Sequence, residues 1–232
     1  MSHDKRNIGF TLVELMLAMG FVAALLLSVA MTVVQMGNIY NRGLTYKSVN
    51  QAGSTIVSEL QRSVGGVARF DLATHFVQQG PVNNYIGGRL CVGQFSYIWN
   101  YGKAFNSPAN TYSDSPNIIR FIKAMDPDSS YCLTPAKKVP IASAVELLDV
   151  GQVKTDLAVH YFTISSSVSD STTGQQLYSI EFVIGTNYQN ALNVIVPADT
   201  NCRPPSDLNS DLTYCAVNKF DIVARAGKAS QK

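Results

Sequence analysis

The stretch Ile8-Gly9-Phe10-Thr11-Leu12-Val13-Glu14-Leu15-Met16 decides how this chain is read. It opens an apolar run, Leu15–Val34 (LMLAMGFVAALLLSVAMTVV), and no charged residue occurs from Leu15 to Asn41. At ~1.5 Å per residue a run of this length, about twenty residues, spans ~30 Å as a helix, the thickness of a bilayer core. A cleaved secretory signal has a shorter apolar region followed by a small-residue cleavage site, and no such site closes this one. A transmembrane helix over about 15–34 is therefore expected. Glu14 stands at its edge. An acid at the centre of such a helix costs about 2.5–3.5 kcal/mol by insertion scales, so its presence calls for a partner or a task. Lys5 and Arg6 on one flank balance Arg42 and Lys47 on the other, and charge alone does not orient the segment.

The helical period continues past the apolar run. Ile39, Tyr46, Val49, Gly53, Ile56, Leu60 and Val64 recur at the spacing of one helix face, and no proline interrupts residues 10–80. One helix is expected over 10–64, apolar all round in its first half and amphipathic in its second, with Gly65-Gly66 as its stop. Beyond it, Leu177–Ile184 alternates Tyr178, Ile180, Phe182 and Ile184 with polar residues, as a half-buried strand does. Asp156–Ile164, Leu90–Trp99, Asn117–Lys123 and Lys219–Arg225 are further strand candidates, and the polar stretch 165–176 is expected to be a loop. The fold class that follows is α+β: a long N-terminal helix packed on a C-terminal sheet of about four to six mostly antiparallel strands. The expected organisation is a polar leader over 1–9, the helix over 10–64, a β-rich head over 65–225 and a disordered tail over 226–232.

Four cysteines, Cys91, Cys132, Cys202 and Cys215, all follow the apolar segment, and none forms a Cys-x-x-Cys pair. An even number confined to one side of a membrane helix points to disulfides in an oxidising compartment. Three pairings are open. The short Pro- and Asp-rich stretch between Cys202 and Cys215 favours that pair, which leaves Cys91 with Cys132. A net charge of +2 from 18 basic and 16 acidic side chains offers no basic patch of nucleic-acid type and leaves contact with DNA undecided. The histidines, His3, His75 and His160, fall into no catalytic or metal-binding motif, no phosphate-binding glycine loop occurs, and no enzyme or cofactor is expected.

The sequence IGFTLVELMLAMGF, with a short polar leader ending in Gly9, resembles the N-terminus of type IV prepilins and pseudopilins. The match covers about the first 35 residues; the expected helix, sheet and cysteine-bounded C-terminal loop are similar to pilin heads in architecture. The resemblance implies cleavage after Gly9 by a membrane-embedded prepilin peptidase on the cytoplasmic side and N-methylation of the new terminus, Phe10. It implies that Glu14, the fifth residue of the mature chain, is the assembly contact that accepts the Phe10 ammonium of a neighbouring subunit. It implies as partners other pilin subunits through helix–helix contacts, an inner-membrane assembly platform, and the lipid bilayer before assembly. The head would lie outside the cytoplasm and then on a cell-surface filament.

A head of this size suits a minor pilin. A pseudopilin of a type II secretion or DNA-uptake system is the alternative within the family, and a non-polymerising single-pass surface-binding protein the alternative outside it. A proline common within the family's transmembrane run is absent here. Some pseudopilins bind calcium near the C-terminus. Asp207, Asn209 and Asp211 are weak candidates for such a site, since Leu212 and Asn218 stand where a calcium loop would have glycine and glutamate. A solvated turn is the reading preferred.

Overall fold

The structure, a computed structural model, describes residues 11–148, 155–170, 174–194 and 197–227. The expected leader, with Gly9 and Phe10, lies outside the described residues. By its internal contacts the chain forms two units, Met1–Asn41 and Arg42–Lys232. The fold is α+β, a long N-terminal helix followed by antiparallel sheets.

Helix α1 spans Leu12–Gly65. It ends where the paired glycines begin: the Gly66 N–H donates to Arg62 O at 3.0 Å, closing the last turn. Residues 11–40 are all exposed. From Thr45 onward one face is buried, formed by Thr45, Val49, Gly53, Ile56, Leu60 and Val64. The expected face is corrected at two positions, because Ile39 is 72% exposed and Tyr46 is 39% exposed. Thr45 takes the inward place instead of Tyr46, and its hydroxyl donates to Thr213 O at 3.2 Å. A short hydroxyl that finds a carbonyl can be buried where a larger ring would not fit.

The strands divide between two main sheets instead of gathering in one. β1 (Phe76–Gln79), β2 (Gly87–Val92), β3 (Phe95–Asn100), β4 (Phe121–Met125) and β5 (Ala144–Glu146) form an antiparallel meander in chain order. β6 (Leu157–Asp170), β7 (Gln175–Thr186) and β10 (Val217–Ala226) form a second sheet in the order β10-β7-β6, and β8 (Leu192–Asn193) pairs with β9 (Asn201–Cys202). The single strand expected over Leu90–Trp99 is a hairpin, with Gly93 at φ +62 in its turn. Glycine adopts that conformation without a Cβ penalty, and this is what a continuous apolar pattern conceals. The expected loop over 165–176 is corrected too: β6 and β7 pair as far as Asp170 and Gln175. Ser165–Ser167 are exposed, so the backbone ladder outruns the apolar core here. β10 includes Ala226, the first residue of the expected tail.

The main core lies where the α1 face meets both sheets. Tyr178, Ile180, Phe182 and Ile184 are all buried, as their alternation requires. The Trp99 and Phe162 ring centroids lie 4.3 Å apart, joining the two sheets. Tyr97, Ile98, Trp99 and Tyr101 are buried core residues. On the opposite face of the meander, Ile98, Ile119, Ile122, Tyr131 and Val139 form a second cluster. Buried Arg89 holds the adjoining segment, donating to Asn110 Oδ1 at 2.8 Å, Tyr131 O at 2.9 Å and Lys137 O at 3.0 Å. Burial lowers its pKa to about 10, which still leaves it charged at neutral pH.

Candidate functional site

Helix α1 starts with a reciprocal cap. Thr11 precedes the first helical residue; its Oγ1 accepts from the Glu14 N–H at 3.3 Å. Glu14 Oε2 in turn accepts from the Thr11 N–H at 2.9 Å and from the Thr11 hydroxyl at 2.8 Å. The Thr-x-x-Glu spacing satisfies backbone donors that the first helical turn leaves without partners. Both side chains are exposed. The acid at the edge of the apolar run is thus held by one oxygen. Among the described residues its Oε1 takes no hydrogen bond.

The segment that follows has a lipid-compatible surface. Among the described residues one helix is long and apolar enough to cross a membrane, and its most apolar part is not buried. Its two hydroxyls are satisfied internally: Ser28 Oγ donates to Ala24 O at 2.7 Å and Thr32 Oγ1 to Ser28 O at 2.8 Å. Backbone and hydroxyl donors that find partners within the helix carry little penalty in hydrocarbon. Gly20, Gly37 and Gly43 have nothing within 4 Å of where a Cβ would stand, whereas the ring of Phe220 fills that place at Gly53.

The four cysteines form two disulfides. Cys91 pairs with Cys132 at a Cα–Cα distance of 6.2 Å, and Cys202 with Cys215 at 5.8 Å. The loop between Cys202 and Cys215 meets α1 at Thr45 through Thr213 O. Within that loop, Asp207 is already engaged, with Oδ2 on Arg203 Nη1 and Oδ1 on the Asn209 N–H, both at 2.9 Å. Among the described residues no group of three or more His, Cys, Asp or Glu side chains is placed to hold a metal.

A cleft of about 490 Å³ opens beside β5, lined by Tyr112, Pro116, Ile118, Arg120, Ile141 and Glu146 among others. Its charged groups are committed. Arg120 forks onto Asp156 with both contacts at 2.9 Å, and Glu146 Oε1 accepts the Phe121 N–H at 2.7 Å. Burial raises the Glu146 pKa against the pull of the Phe121 and Arg120 backbone N–H donors. His160 is buried, with its Nε2 3.2 Å from Thr186 O.

Sequence reasoning singled out Glu14 and passed over Thr11, although the three-residue spacing of the pair was present to be read. No protein-family model, curated protein or solved structure matches this chain.

Proposed function

We propose that the chain is a minor subunit of a type IV pilus or related filament, cleaved after Gly9 and polymerised through α1. The observation that carries this reading is the helix start. An apolar segment exposed along 12–40 begins with a carboxylate in its first turn, in register with Gly9-Phe10. A lipid anchor explains the apolar surface, and the cap on Thr11 uses one oxygen of the acid, but neither accounts for its register with Gly9-Phe10. A filament accounts for the surface and the register together.

In this reading the uncut chain sits in the membrane with its N-terminus in the cytoplasm and its head outside. Prepilin peptidase cuts after Gly9 and the Phe10 amine becomes a cation. A carboxylate and an ammonium about 4 Å apart gain about 4 kcal/mol at an effective dielectric of 20. Desolvation of both groups offsets much of this, so the pair sets axial register more than it adds stability. The apolar helices leave lipid for one another at an assembly platform in the inner membrane, and the disulfide-stapled heads face outward.

Mass spectrometry of the N-terminus in membranes with and without the host's prepilin peptidase tests the class. The expected result is a mature chain beginning at methylated Phe10, formed only with the peptidase. Functional protein that retains residues 1–9 would overturn the reading in favour of a non-polymerising anchor.

A further inference from the structure

We propose that the free edge of β5, with the cleft beside it, binds an extended segment of a partner protein. The segment adds a strand to the meander and sets a lysine opposite Glu146 and an apolar residue opposite Val145. The proposal is independent of the filament reading and concerns a surface which that reading does not use.

β5 ends the five-stranded sheet, and among the described residues neither a strand nor an isolated bridge pairs with its outer edge. The Leu147 N–H donates to Phe121 O at 2.8 Å. Bonding alternates along an antiparallel ladder, so the backbone N–H and C=O of the preceding residue, Glu146, face away from β4. An edge of this kind is a template for a further strand. Its two faces set what that strand must carry. Val145 shares a row with Lys123 and Tyr97, on the α1 side, and is 63% exposed. An apolar side chain across from it removes both from water. Glu146 shares the opposite face with Ile122 and Ile98, and lines the cleft.

The cleft lacks a cation. Among the described residues Arg120 is the one basic side chain lining it, and its fork is spent on Asp156. Glu146 Oε1 accepts the Phe121 N–H at 2.7 Å, whereas the Arg120 N–H reaches Oε2 at a long 3.4 Å. No described ion pair includes this carboxylate, and burial raises its pKa. An ammonium restores the missing charge, and in a partly dry cleft the pair is stronger than in open water. Residues directly opposite in an antiparallel pair have Cβ atoms about 4.5–5.5 Å apart, within a lysine's reach. The cleft's volume, about 490 Å³, leaves room for the stem beside Pro116 and Ile118.

The probe is a blocked peptide, acetyl-Thr-Val-Lys-Val-Thr-amide, titrated calorimetrically into the full chain in detergent micelles. Amide spectra of the nitrogen-labelled chain locate the site. The expected result is saturable binding that shifts the Val145 and Glu146 signals. Norleucine in place of the peptide's lysine keeps the stem without the charge, and is expected to weaken binding about fivefold, the upper end for an opposite-charge cross-strand pair. Glu146→Gln should weaken the lysine peptide equally and leave the norleucine peptide unchanged. N-methylation of the lysine's backbone nitrogen removes its bond to the Glu146 carbonyl and should abolish binding. Equal affinity of the lysine and norleucine peptides, or undiminished binding after N-methylation, overturns the proposal, and neither comparison needs a variant of the chain to fold. The absence of saturable binding, or signals that shift elsewhere, overturns it too. If dilution of the chain alone moves the same signals, the edge belongs to a second copy, and the proposal fails.

Discussion

Lys123 Nζ on β4 lies 2.5 Å from Glu59 Oε1 on α1, an ion pair whose members are 64 residues apart in sequence. The Tyr97 hydroxyl donates to the same oxygen at 3.0 Å, and the ammonium stands 3.7 Å from the centroid of the Phe95 ring. The side chains of Glu59 and Lys123 are only 16% and 23% exposed. Burial works against the Glu59 carboxylate, but hydrogen bonds from Lys123, Tyr97 and Ser63 outweigh it and hold its pKa below the ordinary value. The amphipathic half of α1 is thus fastened to the meander by charge as well as by apolar contact.

Glu59→Ala strands the Lys123 ammonium in a largely dry place, while the Tyr97 hydroxyl keeps its hydrogen bond with Ser63 Oγ. A loss of about 2 kcal/mol is expected, between the cost of an unsatisfied polar group and that of a broken buried ion pair. Urea unfolding of the full chain in detergent, followed through its single tryptophan, Trp99, measures it. An unchanged midpoint would mean that the pair is only superficial.

His160 gives the head an acid limit. Burial depresses its pKa to about 4, with the Thr186 and Gly185 backbone opposing in part. The unfolded histidine takes up a proton below about pH 6.5, whereas the folded one stays neutral until about pH 4. Between those values the unfolded state binds more protons, so stability falls as the pH falls. The loss reaches about 3 kcal/mol at the lower end. His160→Gln removes this part of the pH dependence, which unfolding midpoints measured between the two values would reveal.

The two disulfides differ in the loop each closes, with sequence separations of 41 for Cys91–Cys132 and 13 for Cys202–Cys215. By chain entropy, replacing both cysteines of a pair with alanine costs about 4 kcal/mol for the longer loop and about 3 for the shorter. Loss of Cys202–Cys215 also loosens the contact at Thr45. Faster amide exchange there than in the Cys91–Cys132 double variant is the expected distinction.

Glycine substitutions along α1 should have opposite signs. Gly37→Ala and Gly43→Ala meet open space and add about 1 kcal/mol of helix stability. Gly53→Ala places a methyl in the ring of Phe220, which itself stacks on Phe182 at 5.2 Å. Overpacking of this kind costs about 1–3 kcal/mol despite alanine's better propensity. Thermal unfolding of the three variants separates them, and Phe220→Leu should relieve the Gly53→Ala defect.

The sequence by itself determined what depends on neighbours a few residues away. A charge-free run long enough to cross a bilayer, the spacing of Val49, Ile56, Leu60 and Val64, and the alternation from Tyr178 to Ile184 each name an element and its buried face. The periods of helix and strand are local properties of the backbone. The Thr11–Glu14 cap belongs with them, as a three-residue signature. Tertiary structure alone decided that the strands separate into two sheets, that Thr45 turns inward where Tyr46 was expected, and that Glu59 finds Lys123. Those outcomes depend on register and packing between segments tens of residues apart. A side chain's own periodicity says which way it points and leaves open what it meets.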